Sequence, residues 1–323
     1  MCRKVYFNGE FIPESEAKIS IYDSALMFGD TVFEMTRSFN KHQFKLKSHL
    51  ERLYASAKYM HISIPISMDE MASKVSETID INDPVFEKDD EHRIMINITR
   101  GILSIYQEVL GVTSQTNVII ADFPLKWTVR GMGVLYDKGI NAVIVSQRSI
   151  PASLIEPKVK SRSRLHLMMA NIQASRIKGE NNWALMLDSD GFISEGTGDN
   201  FFIVKNEKLI TPEGRNILRG ISRAYIFELA REYGIQCVEK NIEPYDVLDA
   251  DEAFMTGTPF CILPVVSLDG VVIGTGRPSS FVQELLRLWG RRVDVNIKKQ
   301  IQDWDVERKN VEGCSPYKFQ ESK

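Results

Sequence analysis

No stretch of this 323-residue chain approaches the ~18 consecutive apolar residues that a membrane-spanning helix needs. Its start, MCRKVYFNGEF, has no apolar core of signal-peptide length, so a cytoplasmic protein is expected. Cysteine is sparse: Cys2, Cys237, Cys261 and Cys314 are far apart with no CxxC pair, which argues against a zinc site or a disulfide framework. A large charge of one sign is missing as well. With a net charge of -3, the chain has no basic surface suited to nucleic acid. His42, His49, His61, His92 and His166 show no ligand spacing, so no metal is expected. GxxxxGK[ST], HExxH, GxSxG and a GxGxxG opening a helix after a strand are all absent, which removes the common nucleotide, zincin and serine-hydrolase chemistries. The expected ligand is small.

What is present is enough length for about two domains and a 43% hydrophobic share, which suits a buried core rather than disorder. Strand-like VYFNGEFI and TVFEMTRSF precede HQFKLKSHLERLYASAKYM, where Leu46, Leu50, Leu53, Ala57 and Met60 recur at helical spacing. The runs RIMINITRG and TNVIIADF read as buried strands, so this half is α+β. The stretch 124–133, PLKWTVRGMG, mixes Pro, Gly and charge without a period and reads as a linker. Beyond it come a helix around 164–178 and a hairpin of WALMLD and FIS about Ser189-Asp190-Gly191. NFFIV, a turn at KNEK, a helix RAYIFELAREYG, the strand-turn DEAFMTGTPF and a last helix SSFVQELLRLWG follow. The expected organisation is a domain over 1–123, the linker over 124–133, a larger domain over 134–290 and a polar extension over 291–323.

Three segments carry chemical interest. In ILRGISRAYIFELA, Gly220 frees the backbone before a helix and Ser222 is a natural N-cap, so the first amides of the helix, with its dipole, favour an anion. In DEAFMTGTPF, Thr256-Gly257-Thr258 lets backbone amides and hydroxyls approach a ligand. In GFISEGTGDN, a carboxylate, Glu195, stands where the chain should only be turning. Arg52 by composition is a solvated helix charge. In IEPKVKSRSRL, Lys158, Lys160, Arg162 and Arg164 crowd together; crowding and burial disfavour a charged amine and make a lysine nucleophilic. Composition does not choose between Lys158 and Lys160.

Taken together, GFISEGTGDNFFIV, ILRGISR and DEAFMTGT stand in the order and spacing of the class IV (fold-type IV) pyridoxal-phosphate aminotransferases, which the chain resembles from about Val5 to Gly290. The resemblance implies a small N-terminal α/β domain, a larger β-barrel-like domain with helices, and pyridoxal 5'-phosphate (PLP) between them. It also implies a homodimer, with no nucleic-acid or membrane partner. The family's spacing to the glycine that closes the following helix, here Gly179, selects Lys160 as the cofactor lysine and proton shuttle. By position Arg52, Ile221, Ser222 and Thr258 match the family's phosphate site. Glu195 matches the acid facing the pyridine nitrogen, where a carboxylate favours the protonated ring, and Gly196 and Gly198 let the backbone pass close to the ring.

Departures from the family shape the substrate expectation. Leu165 stands where branched-chain enzymes have tyrosine, leaving Arg164 as the candidate near the cofactor's phenolic oxygen. TGTPFC replaces TGTAAE, so Pro259 removes one amide donor for a substrate carboxylate. TRGILSIYQEV lacks the Arg-x-His of D-amino acid enzymes, and Arg100 alone reads as structural. Phe33 and Phe260, with Tyr106, would form an apolar side-chain pocket beside Pro259. The implied activity is transfer of an amino group between an amino acid, favouring a branched or other apolar side chain, and a 2-oxo acid by ping-pong Schiff-base chemistry. The alternatives are an aminodeoxychorismate lyase-type reaction, or an amine or D-amino acid transaminase.

Overall fold

The computed structural model describes residues 2–113 and 115–306. They divide into two compact units, one of Met1–Trp127 with Val159–Arg164 and one of Thr128–Lys158 with Leu165–Lys323. The return of Val159–Arg164 to the first unit has no local sequence signal.

The first unit is built on a five-stranded antiparallel sheet in the order Glu10–Pro13, Lys4–Phe7, Asn117–Pro124, His92–Thr99, Thr31–Met35. Ile94, Ile96 and Ile98 alternate inward, as a half-covered sheet requires. Against them pack the helices Leu46–Tyr59 and Met68–Asn82. The stripe expected from spacing is present: Leu50, Leu53 and Ala57 are buried, with Leu46 and Met60 partly so. Ser67 and Glu70 form a capping box that starts the second helix.

The second unit carries a nine-stranded mixed sheet that closes on itself. Ile193–Gly196, Asn182–Leu187, Ile140–Arg148, Cys261–Leu268, Glu252–Gly257 and Asn200–Lys205 follow one another, and a single pair, Glu195↔Asn200, joins the last to the first. The hairpins arise where expected: Gly191 has φ 91 at the first turn, and Asn206 and Glu207, both left-handed, turn the chain from Lys205 to Lys208. Phe201 and Phe202, and Phe254 and Met255, are buried on the two faces of the sheet in alternation, with Phe202 and Phe254 stacked at 4.9 Å.

Two segments carry local structure that composition did not specify. The division between the units falls between Trp127 and Thr128, inside the expected linker 124–133, where Leu125, Val129 and Met132 are buried and Lys126–Val129 is a helical turn. The last expected helix runs Ser280–Val293, and a further helix, Ile297–Val306, buries Ile297, Ile301 and Trp304. Three apolar residues at helical spacing suffice to anchor what looked like a polar extension; the rest of it, with Cys314, lies outside the described residues. Among the described residues no helix is long and apolar enough to cross a membrane.

Candidate active site

The first unit gathers a group of charges around a buried carboxylate. Glu34, on the strand Thr31–Met35, is fully buried. It accepts hydrogen bonds from Arg52 Nε at 2.6 Å and Nη2 at 2.8 Å, and from His49 Nδ1 at 2.7 Å. A carboxylate only accepts, so His49 donates through Nδ1. Burial pushes the Glu34 carboxyl upward, but the Arg52 guanidinium and His49 prevail and hold it at about 2. Burial, aided by the Arg52 and Lys160 charges, keeps the His49 imidazole below its ordinary 6.5 despite Glu34. Arg52 is therefore an oriented, paired cation and not a solvated one.

Lys160 belongs to the same unit. Its backbone amide donates to Ser56 Oγ at 3.3 Å, its carbonyl accepts from Phe33 N at 3.0 Å, and its Nζ lies 4.7 Å from the Phe33 ring centre. Arg162 covers that ring at 3.7 Å and donates to Asn97 Oδ1, while Arg164 lies at 5.5 Å. Burial and the neighbouring Arg164 charge push the Arg162 guanidinium down to about 10. Lys158 has a different fate, forming an ion pair with Glu156 at 2.5 Å. The structure thus separates two lysines that composition could not.

In the second unit the closing seam of the sheet forms a second group. Leu218 N donates to both oxygens of Glu195 at 3.1 Å, and Asn200 Nδ2 donates to Oε2 at 3.1 Å. The same Asn200 nitrogen donates to the Leu218 carbonyl, tying the loop before Gly220 to the seam. The helix Ile221–Glu232 starts there with Gly220 as its N-cap and no side-chain cap. Ser222, expected to be the N-cap, is instead inside the first turn, because Gly220 must take the cap position. A Cβ on Gly220 would lie 2.1 Å from Asn200 Oδ1. Among the described residues nothing hydrogen-bonds the Ile221 and Ser222 amides, which suits an anion at this end of the helix.

Across the next pairing Asn200 stands opposite Thr256, whose hydroxyl donates to the Cys261 carbonyl at 2.6 Å. Thr258 follows at the start of the turn after Glu252–Gly257. A Cβ on Gly257 would lie 3.5 Å from the Gly198 carbonyl, so the two glycine turns adjoin. Sheet register sets Glu195 and Asn200 beside Thr256, and the Leu218 hydrogen bonds bring the start of the helix Ile221–Glu232 to the same seam. A held carboxylate beside an uncapped helix start is a donor and acceptor set that fits a phosphorylated pyridine.

Of the aromatic residues expected in a substrate pocket, Phe33 is 1% exposed beneath Lys160 and Arg162, and Phe260, 4% exposed, packs edge-on against Trp183 at 5.7 Å. Pro259 stands beside Phe260 in the turn that Thr258 begins. Tyr106 stacks on Tyr22. Arg100 is structural as read, bridging Asp30 and the carbonyls of Met60 and His61. Sequence reasoning missed Glu34, His49 and Asn200. Their signals were an acid inside the apolar strand GDTVFEM, a histidine three residues before Arg52 on the same helix face, and an asparagine opening an apolar strand.

The chain belongs to the class IV aminotransferase family, whose model, "Amino-transferase class IV", matches residues 31–268. It is similar to a putative branched-chain-amino-acid aminotransferase of Methanocaldococcus jannaschii, 38% identical over 87% of this chain and 93% of the relative. A D-alanine aminotransferase of Bacillus licheniformis is 30% identical over 87% and 94%. Among solved structures, a T.th. branched-chain amino acid aminotransferase complexed with N-(5'-phosphopyridoxyl)-L-glutamate superposes with a TM-score of 0.79 at 26% identity, over 94% of this chain and 98% of that one. The protein is an aminotransferase: it moves an amino group between an amino acid and a 2-oxo acid.

Proposed function

We propose that the enzyme uses PLP held by Lys160, and that its amino acid substrates carry branched or other apolar side chains. When bound, PLP carries the amino group between substrates and acts as the electron sink at Cα. Lys160 Nζ would hold the cofactor and move the proton to and from the substrate Cα. Glu195, fixed by Leu218 N and Asn200 Nδ2, accepts from the pyridine N–H and keeps it protonated. The Ile221 and Ser222 amides and the Ser222 and Thr258 hydroxyls would hold the phosphate; by the resemblance Arg52 would also be assigned to the phosphate and Arg164 to the phenolic oxygen. Gly198 keeps the ring's path clear of side chains.

The observation that carries this reading is the placement of Glu195 on the pair that closes the sheet, tied to the loop that leads into the uncapped helix at Gly220. The side-chain preference rests on the branched-chain relative, and the preference for L- over D-amino acids on the missing Arg-x-His pattern. A homodimer is supported by the exposed apolar Ile21, Leu26 and Phe28 near the N-terminus of the first unit. The test is PLP titration followed by absorbance, then a panel of L and D branched-chain and aromatic amino acids and simple amines against 2-oxoglutarate and pyruvate. Apolar L-amino acids should be the best donors. Pyruvate released without an amino acceptor would establish the lyase reaction instead.

A further inference from the structure

A cavity of about 430 Å³ opens in the second unit, lined by none of the residues of the candidate active site. Its floor is apolar and made by Ile262, Pro264, Val282, Leu286 and Ile297. The hollow depends on a tight turn between the helices Ser280–Val293 and Ile297–Val306. Asp294 is left-handed there (φ 52), and a Cβ on Gly290 would lie 2.6 Å from the Val295 carbonyl.

The rim carries Arg287, Arg291, Lys298 and Asp294. Arg287 is answered by Glu284 and Lys298 by Asp137, so the rim as a whole is close to neutral. For Arg291 the described residues provide neither a hydrogen bond nor an ion pair within 4 Å. An apolar floor beside that one guanidinium suits an amphipathic anion, and the volume falls in the ~300–1,000 Å³ range of small-molecule sites. A carboxylate matches a guanidinium through two parallel hydrogen bonds.

One wall links this cavity to the rest of the unit. The Tyr136 ring lines it, and its hydroxyl donates to the Phe260 carbonyl at 2.7 Å. Phe260 closes the turn begun by Thr258, and Ile262 on the cavity floor lies two residues further along the same chain. A ligand that moves Tyr136 therefore pulls on that turn directly.

We propose that this cavity is an effector site for an apolar monocarboxylate, anchored by Arg291 and felt through Tyr136 at the Thr258–Phe260 turn. Binding is independent of the cofactor assignment; the transmission to catalysis rests on it. The probe is octanoate, titrated calorimetrically into the holoenzyme with and without a saturating amino donor.

Octanoate should bind once per chain, remain bound when the donor is saturating, and shift the donor's KM. Arg291→Glu, a change on an exposed helix face, should weaken octanoate by about tenfold or more and abolish the KM shift, leaving kcat and KM without octanoate unchanged. Lys160→Ala should bind octanoate as the native chain does, which keeps this test separate from that of the cofactor lysine. Displacement of octanoate by the donor, no binding at millimolar octanoate, or equal affinity in Arg291→Glu overturns the proposal. Binding with no change in KM overturns the link through Tyr136.

Discussion

The Glu34 carboxylate grips the Arg52 guanidinium from two sides, at 2.6 and 2.8 Å, inside a fully buried position. Since His49 also donates to Glu34, the strand Thr31–Met35 sets the direction of an arginine on the helix Leu46–Tyr59. Replacing Glu34 by Gln keeps the shape and removes the charge. A buried cation left without its counter-charge costs ~3–5 kcal/mol, so Glu34→Gln should lower the melting temperature and weaken PLP. Arg52→Lys should weaken PLP with less loss of stability, because a lysine cannot reproduce the fork. PLP affinity and melting temperature, measured on both variants, check this.

The same carboxylate makes stability depend on acidity. Glu34 sits at about 2 in the folded chain against an ordinary 4.5. A depressed pKa contributes stability that is complete above the ordinary value and lost as pH falls from 4.5 toward 2. Urea midpoints measured from roughly pH 6 down to 3 should fall more steeply for the native chain than for Glu34→Gln. Parallel curves would show that Glu34 is not held down.

Lys158 and Lys160 should behave differently. Lys158→Ala removes an ion pair with Glu156 at a partly exposed position, which is worth ~0–1 kcal/mol, and turnover should persist. Lys160→Ala should lose roughly 10²–10⁴-fold or more in turnover with the loss of the proton carrier. Steady-state rates and the visible absorption of the two proteins with PLP decide the matter, and turnover retained in Lys160→Ala would remove the assignment.

Gly220→Ala tests the seam. Its methyl would lie 2.1 Å from Asn200 Oδ1, and Asn200 is already bound to Glu195 and to Leu218 O. Overpacking of this kind costs ~1–3 kcal/mol. The displaced Asn200 should also loosen Glu195. Lower thermal stability together with an altered cofactor absorption spectrum is the expected result, whereas Gly191→Ala, strained by its φ of 91 but with no atom within 4 Å of its Cβ, should alter stability alone.

Local pattern by itself determined much of this protein. The helical recurrence of Leu50, Leu53 and Ala57, the alternation of Ile94, Ile96 and Ile98, and the turns at Gly191 and Asn206-Glu207 are short-range features, because side-chain period and backbone sterics act within a few residues. The motifs around Glu195, Gly220 and Thr258 were equally legible, since they depend on glycine placement and residue type.

Only the tertiary structure decided how those residues are held. Glu195 gained its fixed direction from the pair with Asn200 and from Leu218, Arg52 gained its counter-charge from another element, and Ser222 lost the cap position to the crowding at Asn200. Phe33 came to lie beneath Lys160 and Arg162, and Trp304 drew a polar-looking tail onto the second unit. Most of these outcomes depend on contacts between residues distant in the chain. Such contacts follow from sheet register and packing, which no local periodicity encodes.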